Sequence, residues 1–284
     1  MATTTTRAIT RLPDQFVTVA GVKTHYLQAG SGHPLLILHG GAPGGAARVI
    51  YGPCIEPLAA AGLAVYAPDG PGFGLTEAPA DNSVRFRIDH AKAFMTAMGV
   101  DRFHVLGNSM GVLPSLRLAI EDSRVDRVVL IAGAGVAVPL SAEAREASRE
   151  HGEVLRSYRP GLESMRNLTM GTLHRKELVT DELIQLRYEM SLHQSEAGQN
   201  RANASTSDVQ PLKPDELQAA YDRRTLILWG KNDHGNPIER GYRTFEVLPN
   251  SELHCFDNCG HWPMWDQTEA FVAVVGDFLN RVEG

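Results

Sequence analysis

Arg102-Phe103-His104-Val105-Leu106-Gly107-Asn108-Ser109-Met110-Gly111 is the stretch on which the fold turns. Residues 102–107 read as an apolar strand and 110–121 as a helix. Between them Gly107-x-Ser109-x-Gly111 puts a serine on a strand-to-helix turn, with small neighbours that let a tight turn form. Such a turn lifts the serine Oγ above the sheet edge. It also aims the N–H groups of the new helix at any developing anion. The bland alternative is a Gly-rich turn with an idle serine, and the strand-before, helix-after context weighs against it.

On the N-terminal side, PLLILHGG (34–41) and GLAVYAPDG (62–70) are continuous apolar runs, as expected of strands buried on both faces. FVTVAG (16–21) and KTHYLQAG (23–30) predict a hairpin around Gly21. Val84, Ile88, Ala91, Phe94, Met95 and Met98 fall on one helical stripe over 83–98, with Ser83 as N-cap and Gly99 as stop. DRVVLIAG (126–133) is a further strand. Strands alternating with helices predict an α/β fold with a mostly parallel sheet. From 141 to about 221 the pattern changes to helix-like stretches, such as 141–158 and 180–190, with no strand. The α/β rhythm returns with RTLILWG (224–230), a helix at 238–247, ELHCF (252–256) and an amphipathic helix at 267–281. The expected organisation is a flexible arm at 1–15, an α/β core at 16–135 and 221–284, and a helical lid at 136–220 inserted into that core.

Composition removes several classes. The 284 residues carry a net charge of −6, which argues against a nucleic-acid binder or a polybasic membrane anchor. No apolar run reaches the ~18 residues of a membrane span, and the first residues lack a secretory core. Cys54, Cys255 and Cys259 make neither a disulfide framework nor a convincing zinc pattern, so a reduced, cytoplasmic protein without a metal is expected.

A serine hydroxyl is a weak nucleophile and needs a base, itself oriented by an acid. For this kind of turn the chain order is serine, then carboxylate, then histidine. His261, in Asn258-Cys259-Gly260-His261-Trp262-Pro263 just after a late strand, is the base. His151, His174 and His193 fall in the lid, His254 lies inside a strand, and His234 adjoins the acid candidate. That acid is Asp233, on the loop after the preceding strand, whereas the rival Asp257 shares the histidine's own loop. Asp69 is assigned to bracing a Gly-rich turn through side-chain-to-backbone bonds. The oxyanion needs donors, and these are the backbone N–H of Met110 and one from the loop after the first parallel strand, Gly41. Gly40 and Ala42 of that loop are candidate substrate contacts. A dinucleotide reading of Gly40-Gly41-Ala42-Pro43-Gly44-Gly45 fails, because Pro43 stands where a helix should begin presenting amides. No cofactor is expected.

With these residues in place the chain resembles the α/β-hydrolase family over roughly 16–281. More narrowly it resembles the meta-cleavage-product hydrolases of bacterial aromatic degradation. That likeness rests on His-Gly-Gly-x-Pro-Gly at 39–44, Pro-Gly-Phe-Gly at 71–74 and the elbow at 107–111. It also rests on Val-Thr-Asp-Glu-Leu-Ile-Gln-Leu-Arg at 179–187 and Cys-Gly-His-Trp at 259–262. The resemblance implies cleavage of a C–C bond in a 2-hydroxy-6-oxo-hexa-2,4-dienoate. It implies that Arg187 binds the dienoate carboxylate, with Asn108 and Trp262 holding the same end of the substrate. A guanidinium fork suits a planar carboxylate. Two positions depart from the family pattern: Ile50 stands where an asparagine is common, and Thr172 where a phenylalanine is common. The competing reading is a carboxylesterase, lactonase or amidase using the same Ser109, His261 and Asp233. A non-catalytic relative is disfavoured by the intact triad, and a dehalogenase or epoxide hydrolase would need a carboxylate at 109. The partner is a small-molecule substrate, with no nucleic acid and no membrane, and a homo-oligomer is expected.

Overall fold

The computed structural model describes residues 8–81, 83–194 and 208–282. The hairpin around Gly21 consists of β1 (Gln15–Val19) and β2 (Val22–Ala29), paired antiparallel. The remaining strands are β3 (His33–Leu38), β4 (Leu63–Pro68), β5 (Phe103–Asn108), β6 (Val125–Ile131), β7 (Arg224–Gly230) and β8 (Ser251–Phe256). All eight form one sheet in the order β1-β2-β4-β3-β5-β6-β7-β8. β2 pairs antiparallel with β4, and every pair from β4 to β8 is parallel. The apolar runs have their cause here: every residue of β5 is buried, because helices cover both faces of the sheet.

The helices flanking the sheet are α1 (Ala47–Tyr51), α2 (Ile55–Ala60), α3 (Val84–Ala97) and α4 (Val112–Glu121). Between β6 and β7 come α5 (Ala142–Ser157), α6 (Leu162–Thr172), α7 (Asp181–His193) and α8 (Pro214–Ala220). Then follow α9 (Ile238–Val247), α10 (Pro263–Asp266) and α11 (Thr268–Asn280). Side-chain caps set several starts. Ser83 accepts from Phe86 N–H at 3.0 Å, Ser141 from Ala144 N–H at 3.1 Å and Thr180 from Leu183 N–H at 3.2 Å. Among the described residues of the segment between β6 and β7 there is no strand, only an isolated bridge between Val136 and Leu212.

The expectation of a flexible arm over 1–15 needs correcting in its second half; residues 1–7 lie outside the described residues. Thr10 is buried and its hydroxyl donates to Glu56 at 2.7 Å. Arg48 on α1 donates to the Thr10 and Leu12 carbonyls, each at 2.7 Å. Gln15 already belongs to β1. A single arginine reaching back from a core helix satisfies these carbonyls, and nothing in the local composition of 8–14 announces it.

Asp69 does brace its turn, accepting from Leu75 N–H at 2.9 Å and from Ala47 N–H at 2.7 Å. It also accepts from His25 Nδ1 at 2.7 Å, with both side chains buried. His25 Nε2 reaches Asp14 at 2.9 Å. Burial alone would push the His25 imidazole down, but its bonds to Asp69 and Asp14 outweigh that and raise its pKa. Burial would raise the Asp69 pKa, and His25 more than offsets it, so the carboxyl stays below its usual range. Stability from a raised histidine is full below its unfolded pKa, about 6.5, and fades as pH climbs through the folded value. His25→Gln is therefore expected to cost about 3 kcal/mol near pH 6, by leaving a buried carboxylate without its cation. Urea midpoints of both proteins at pH 6 and pH 9 check this; the gap should narrow at the higher pH.

Candidate active site

β5 ends at Asn108 and the chain turns at once. Ser109 has φ 53, in the left-handed region, and opens a 3-10 turn (Ser109–Gly111) that runs into α4. Non-glycine residues are held in that region at a cost of roughly 1–3 kcal/mol, which is characteristic of functional turns. The two flanking glycines are steric necessities. A Cβ at Gly107 would overlap the Gly111 carbonyl and Ser115 Oγ, and one at Gly111 would overlap the Leu38 carbonyl of β3. The turn exposes Ser109 to a cavity of about 640 Å³, a size suited to a small ligand.

Asp233 leaves the end of β7 with its carboxylate buried. One oxygen accepts from Gly235 N–H at 3.0 Å and Asn236 N–H at 2.9 Å, and the other from His261 Nδ1 at 2.7 Å. Three donors on one carboxylate lock its orientation. They leave the His261 proton on Nδ1 and Nε2 as the basic nitrogen. His261 follows β8, is tied by its N–H to the Thr172 carbonyl at 2.9 Å, and lines the same cavity as Ser109. The Ser109 hydroxyl is not hydrogen-bonded to His261 in this structure; such contacts commonly tighten only when substrate binds. Asp257 lies at the surface, 3.6 Å from Lys231.

Gly40, Gly41 and Ala42 line the cavity together with Met110. His39 anchors this loop from behind. Its Nδ1 donates to the Gly40 carbonyl at 2.7 Å while its Nε2 accepts from Gly70 N–H at 2.8 Å. Burial lowers its pKa, which suits the neutral form that this pattern requires. A side chain at Gly40 would come within 2.9 Å of Asn108 Oδ1 and 3.3 Å of Ser109 Cβ. Asn108 is fully buried, donates to the Ile131 carbonyl at 3.2 Å, and leaves Oδ1 without a partner among the described residues.

Arg187 on α7 is completely buried and lines the cavity. Its Nε donates to the Pro43 carbonyl at 3.1 Å. Its Nη1 donates to Thr169 at 3.1 Å and, more weakly, to Thr172 at 3.5 Å. Both threonine hydroxyls give their own protons to helix carbonyls, so their oxygens are left to accept. The guanidinium carbon stands 4.7 Å from the centre of the Trp262 ring. Among the described residues Nη2 has no partner, and no carboxylate pairs with the side chain. Burial accordingly pushes its pKa well down. α7 can approach this closely because Gly44, at φ 73, carries no Cβ; one there would strike the Arg187 backbone.

The cavity therefore brings together Gly40, Gly41, Ala42, Asn108, Ser109, Met110, Arg187, His261 and Trp262, with Asp233 directly behind His261. Ile50 and Thr172, the departures from the family pattern, line it too. Sequence reasoning passed over His151, on α5, whose ring centre is 6.3 Å from that of His261. A lone histidine on an amphipathic helix carries no local signal of its role. Among the described residues one group could hold a metal ion: His33, His104 and Asp126. It sits at the opposite ends of β3, β5 and β6, where Arg102 and His33 both pair with Asp126. Among the described residues no helix is long and apolar enough to cross a membrane.

The family model for the alpha/beta hydrolase fold matches residues 33–268. A 2-hydroxy-6-oxo-6-phenylhexa-2,4-dienoate hydrolase from Burkholderia cepacia is 31% identical, covering 93% of this chain and 96% of that protein. A 2-hydroxymuconate semialdehyde hydrolase from a Pseudomonas species is 31% identical, covering 94% of each. The solved meta-cleavage product hydrolase of Pseudomonas fluorescens superposes with a TM-score of 0.80 at 30% identity, over 94% of this chain and 97% of that one.

Proposed function

The chain belongs to the α/β-hydrolase family, among its meta-cleavage product hydrolases, and from that premise we propose the substrate, the residue roles and the lid. It is a serine hydrolase that cleaves a C–C bond in ring-fission products of aromatic degradation. The observation that carries the substrate class is Arg187, a buried cation with no counter-charge among the described residues, which faces the cavity of Ser109. Such a charge calls for an anion, and the carboxylate of a 2-hydroxy-6-oxo-hexa-2,4-dienoate supplies it. Asn108 and Trp262 hold the same end, and Gly40 and Ala42 give backbone contacts. The described part of 136–220 serves as a lid on the core of 16–135 and 221–284; residues 82, 195–207 and 283–284 of these spans lie outside the described residues.

The dienol first ketonises, which creates an electron sink at C2. Ser109 Oγ then attacks the C6 carbonyl while His261 takes its proton. Asp233 keeps the histidine tautomer and stabilises the imidazolium. The N–H groups of Gly41 and Met110 bind the C6 oxyanion. Collapse breaks the C5–C6 bond, its electron pair passes through C5 to the C2 oxygen, and the proton held on His261 goes to that oxygen, which makes the 2-hydroxydienoate. Water, deprotonated by His261, frees the acyl group from Ser109. One water is consumed, and the products are a carboxylic acid and a 2-hydroxydienoate.

The three cysteines are unpaired, as in a reducing compartment. We therefore place the protein in the cytoplasm, as a homo-oligomer whose mass in solution would decide its state. The test of function is direct. The protein is mixed with a 6-phenyl dienoate and, separately, with a p-nitrophenyl ester. Fast loss of the yellow dienolate with slow nitrophenol release is the expected result. Nitrophenol release alone would establish the carboxylesterase, lactonase or amidase reading instead.

A further inference from the structure

Two loops bring polar groups to opposite sides of Ser109. Arg187 rests on Pro43 and Gly44, in the loop after β3. His151 rests on Gly235, in the loop after β7; a Cβ at Gly235 would come within 2.7 Å of its ring. In the sheet, β3, β5, β6 and β7 are successive neighbours. At ~4.8 Å per strand the two loops lie roughly 14 Å apart, with Ser109, at the end of β5, between them. A substrate with its carboxylate on Arg187 and its reacting carbonyl at Ser109 is thereby directed, beyond that carbonyl, to the side of the cavity lined by His151.

That end of the cavity is not a plain apolar wall. His151 and Asn236 both line it, beside Leu155 and Ala134. The Asn236 backbone is pinned: its N–H goes to Asp233 and its carbonyl accepts from Trp229 Nε1 at 2.7 Å. The Asn236 side-chain amide and the His151 ring nitrogens take part in none of the protein's hydrogen bonds among the described residues. Burial holds the His151 pKa down, with His261 and Arg187 adding to the effect and Asp233 opposing it, which favours the neutral ring. A neutral imidazole and a primary amide each offer one kind of donor and one kind of acceptor.

We propose that His151, with Asn236, is a specificity-determining residue that hydrogen-bonds a hydroxyl on the acyl side of the scissile bond. The enzyme then favours hydroxylated acyl groups over bare alkyl or phenyl ones. The inference rests on the C–C hydrolase reading, which sets the carboxylate on Arg187. A hydroxyl gives and accepts one hydrogen bond each, matching this pair. An unsubstituted ring would leave both polar groups desolvated and unpaired, the situation that makes polar sites reject apolar analogues.

The test compares kcat/KM on 6-phenyl and 6-(hydroxyphenyl) dienoates for the wild type, His151→Leu and His151→Gln. The wild type is expected to favour the hydroxylated substrate by about tenfold or more. His151→Leu should lower kcat/KM on that substrate about tenfold and raise it on the phenyl one, inverting the order. His151→Gln, which keeps a donor and an acceptor, should restore most of the preference. A wild type that uses both substrates equally would overturn the proposal while leaving the C–C reading intact. Equal losses on both substrates in His151→Leu would overturn it as well, since the histidine would then act through His261 or through folding. Turnover of neither dienoate by the wild type would overturn the C–C reading and this inference together.

Discussion

Ser109→Ala is expected to fold normally, bind dienoate and lose turnover by on the order of 10³-fold or more. The fold should survive because the Ser109 hydroxyl makes no bond that holds the elbow. The turn is imposed by Gly107 and Gly111, which leave no room for other side chains. Alanine meets the same restriction as serine at φ 53, so the exchange adds no new strain there. Binding should survive because the proposed carboxylate contact is with Arg187, on a different element. Only the attacking atom disappears, and in a coupled triad loss of the nucleophile forfeits nearly all that the three groups contribute together. Single-turnover mixing, followed at the dienolate absorbance, separates the two effects: the bound spectrum should form and then persist. Near-normal hydrolysis by a folded Ser109→Ala protein would sink the serine mechanism.

What could be read in advance follows how local its physical cause is. The elbow is legible because its steric demands fall on residues 107–111 alone. The starts of α3, α5 and α7 are legible because each cap is a short-range bond from Ser83, Ser141 or Thr180. Asp233 and His261 were found by chain order, since each follows the end of a strand of the parallel sheet. The short helices α1, α2 and α10 escaped because five, six and four residues are too few to display a periodicity. The docking of 8–14 depends on Arg48, and the place of His151 depends on the missing side chain of Gly235, far along the chain. Thr172 looked like the loss of an aromatic wall. Its hydroxyl instead helps Thr169 hold Nη1 of Arg187, a role that sequence position alone cannot convey.

Arg187→Gln is the change that separates a dienoate hydrolase from an esterase. The helix Thr180-Asp181-Glu182-Leu183-Ile184-Gln185-Leu186-Arg187 turns Leu183 and Ile184 inward, and Arg187, three or four residues on, shares that side. A buried cation costs several kcal/mol unless something opposes its charge. Here two threonine hydroxyls, one carbonyl and the face of Trp262 solvate it, and none of them is an anion. Two consequences follow with opposite signs. In the free protein, glutamine should leave stability unchanged or slightly higher, because an uncompensated charge has gone. In catalysis, the dienoate should lose about 2–4 kcal/mol in kcat/KM, or roughly 30- to 1000-fold, because its carboxylate no longer meets a cation. A neutral p-nitrophenyl ester should barely notice the change. Thermal melts and paired kcat/KM measurements on the two substrates decide the matter. A structural arginine would give the reverse pattern, with lower stability and equal losses on both substrates. That result would remove the carboxylate clamp and with it the main physical reason to prefer a C–C bond over an ester.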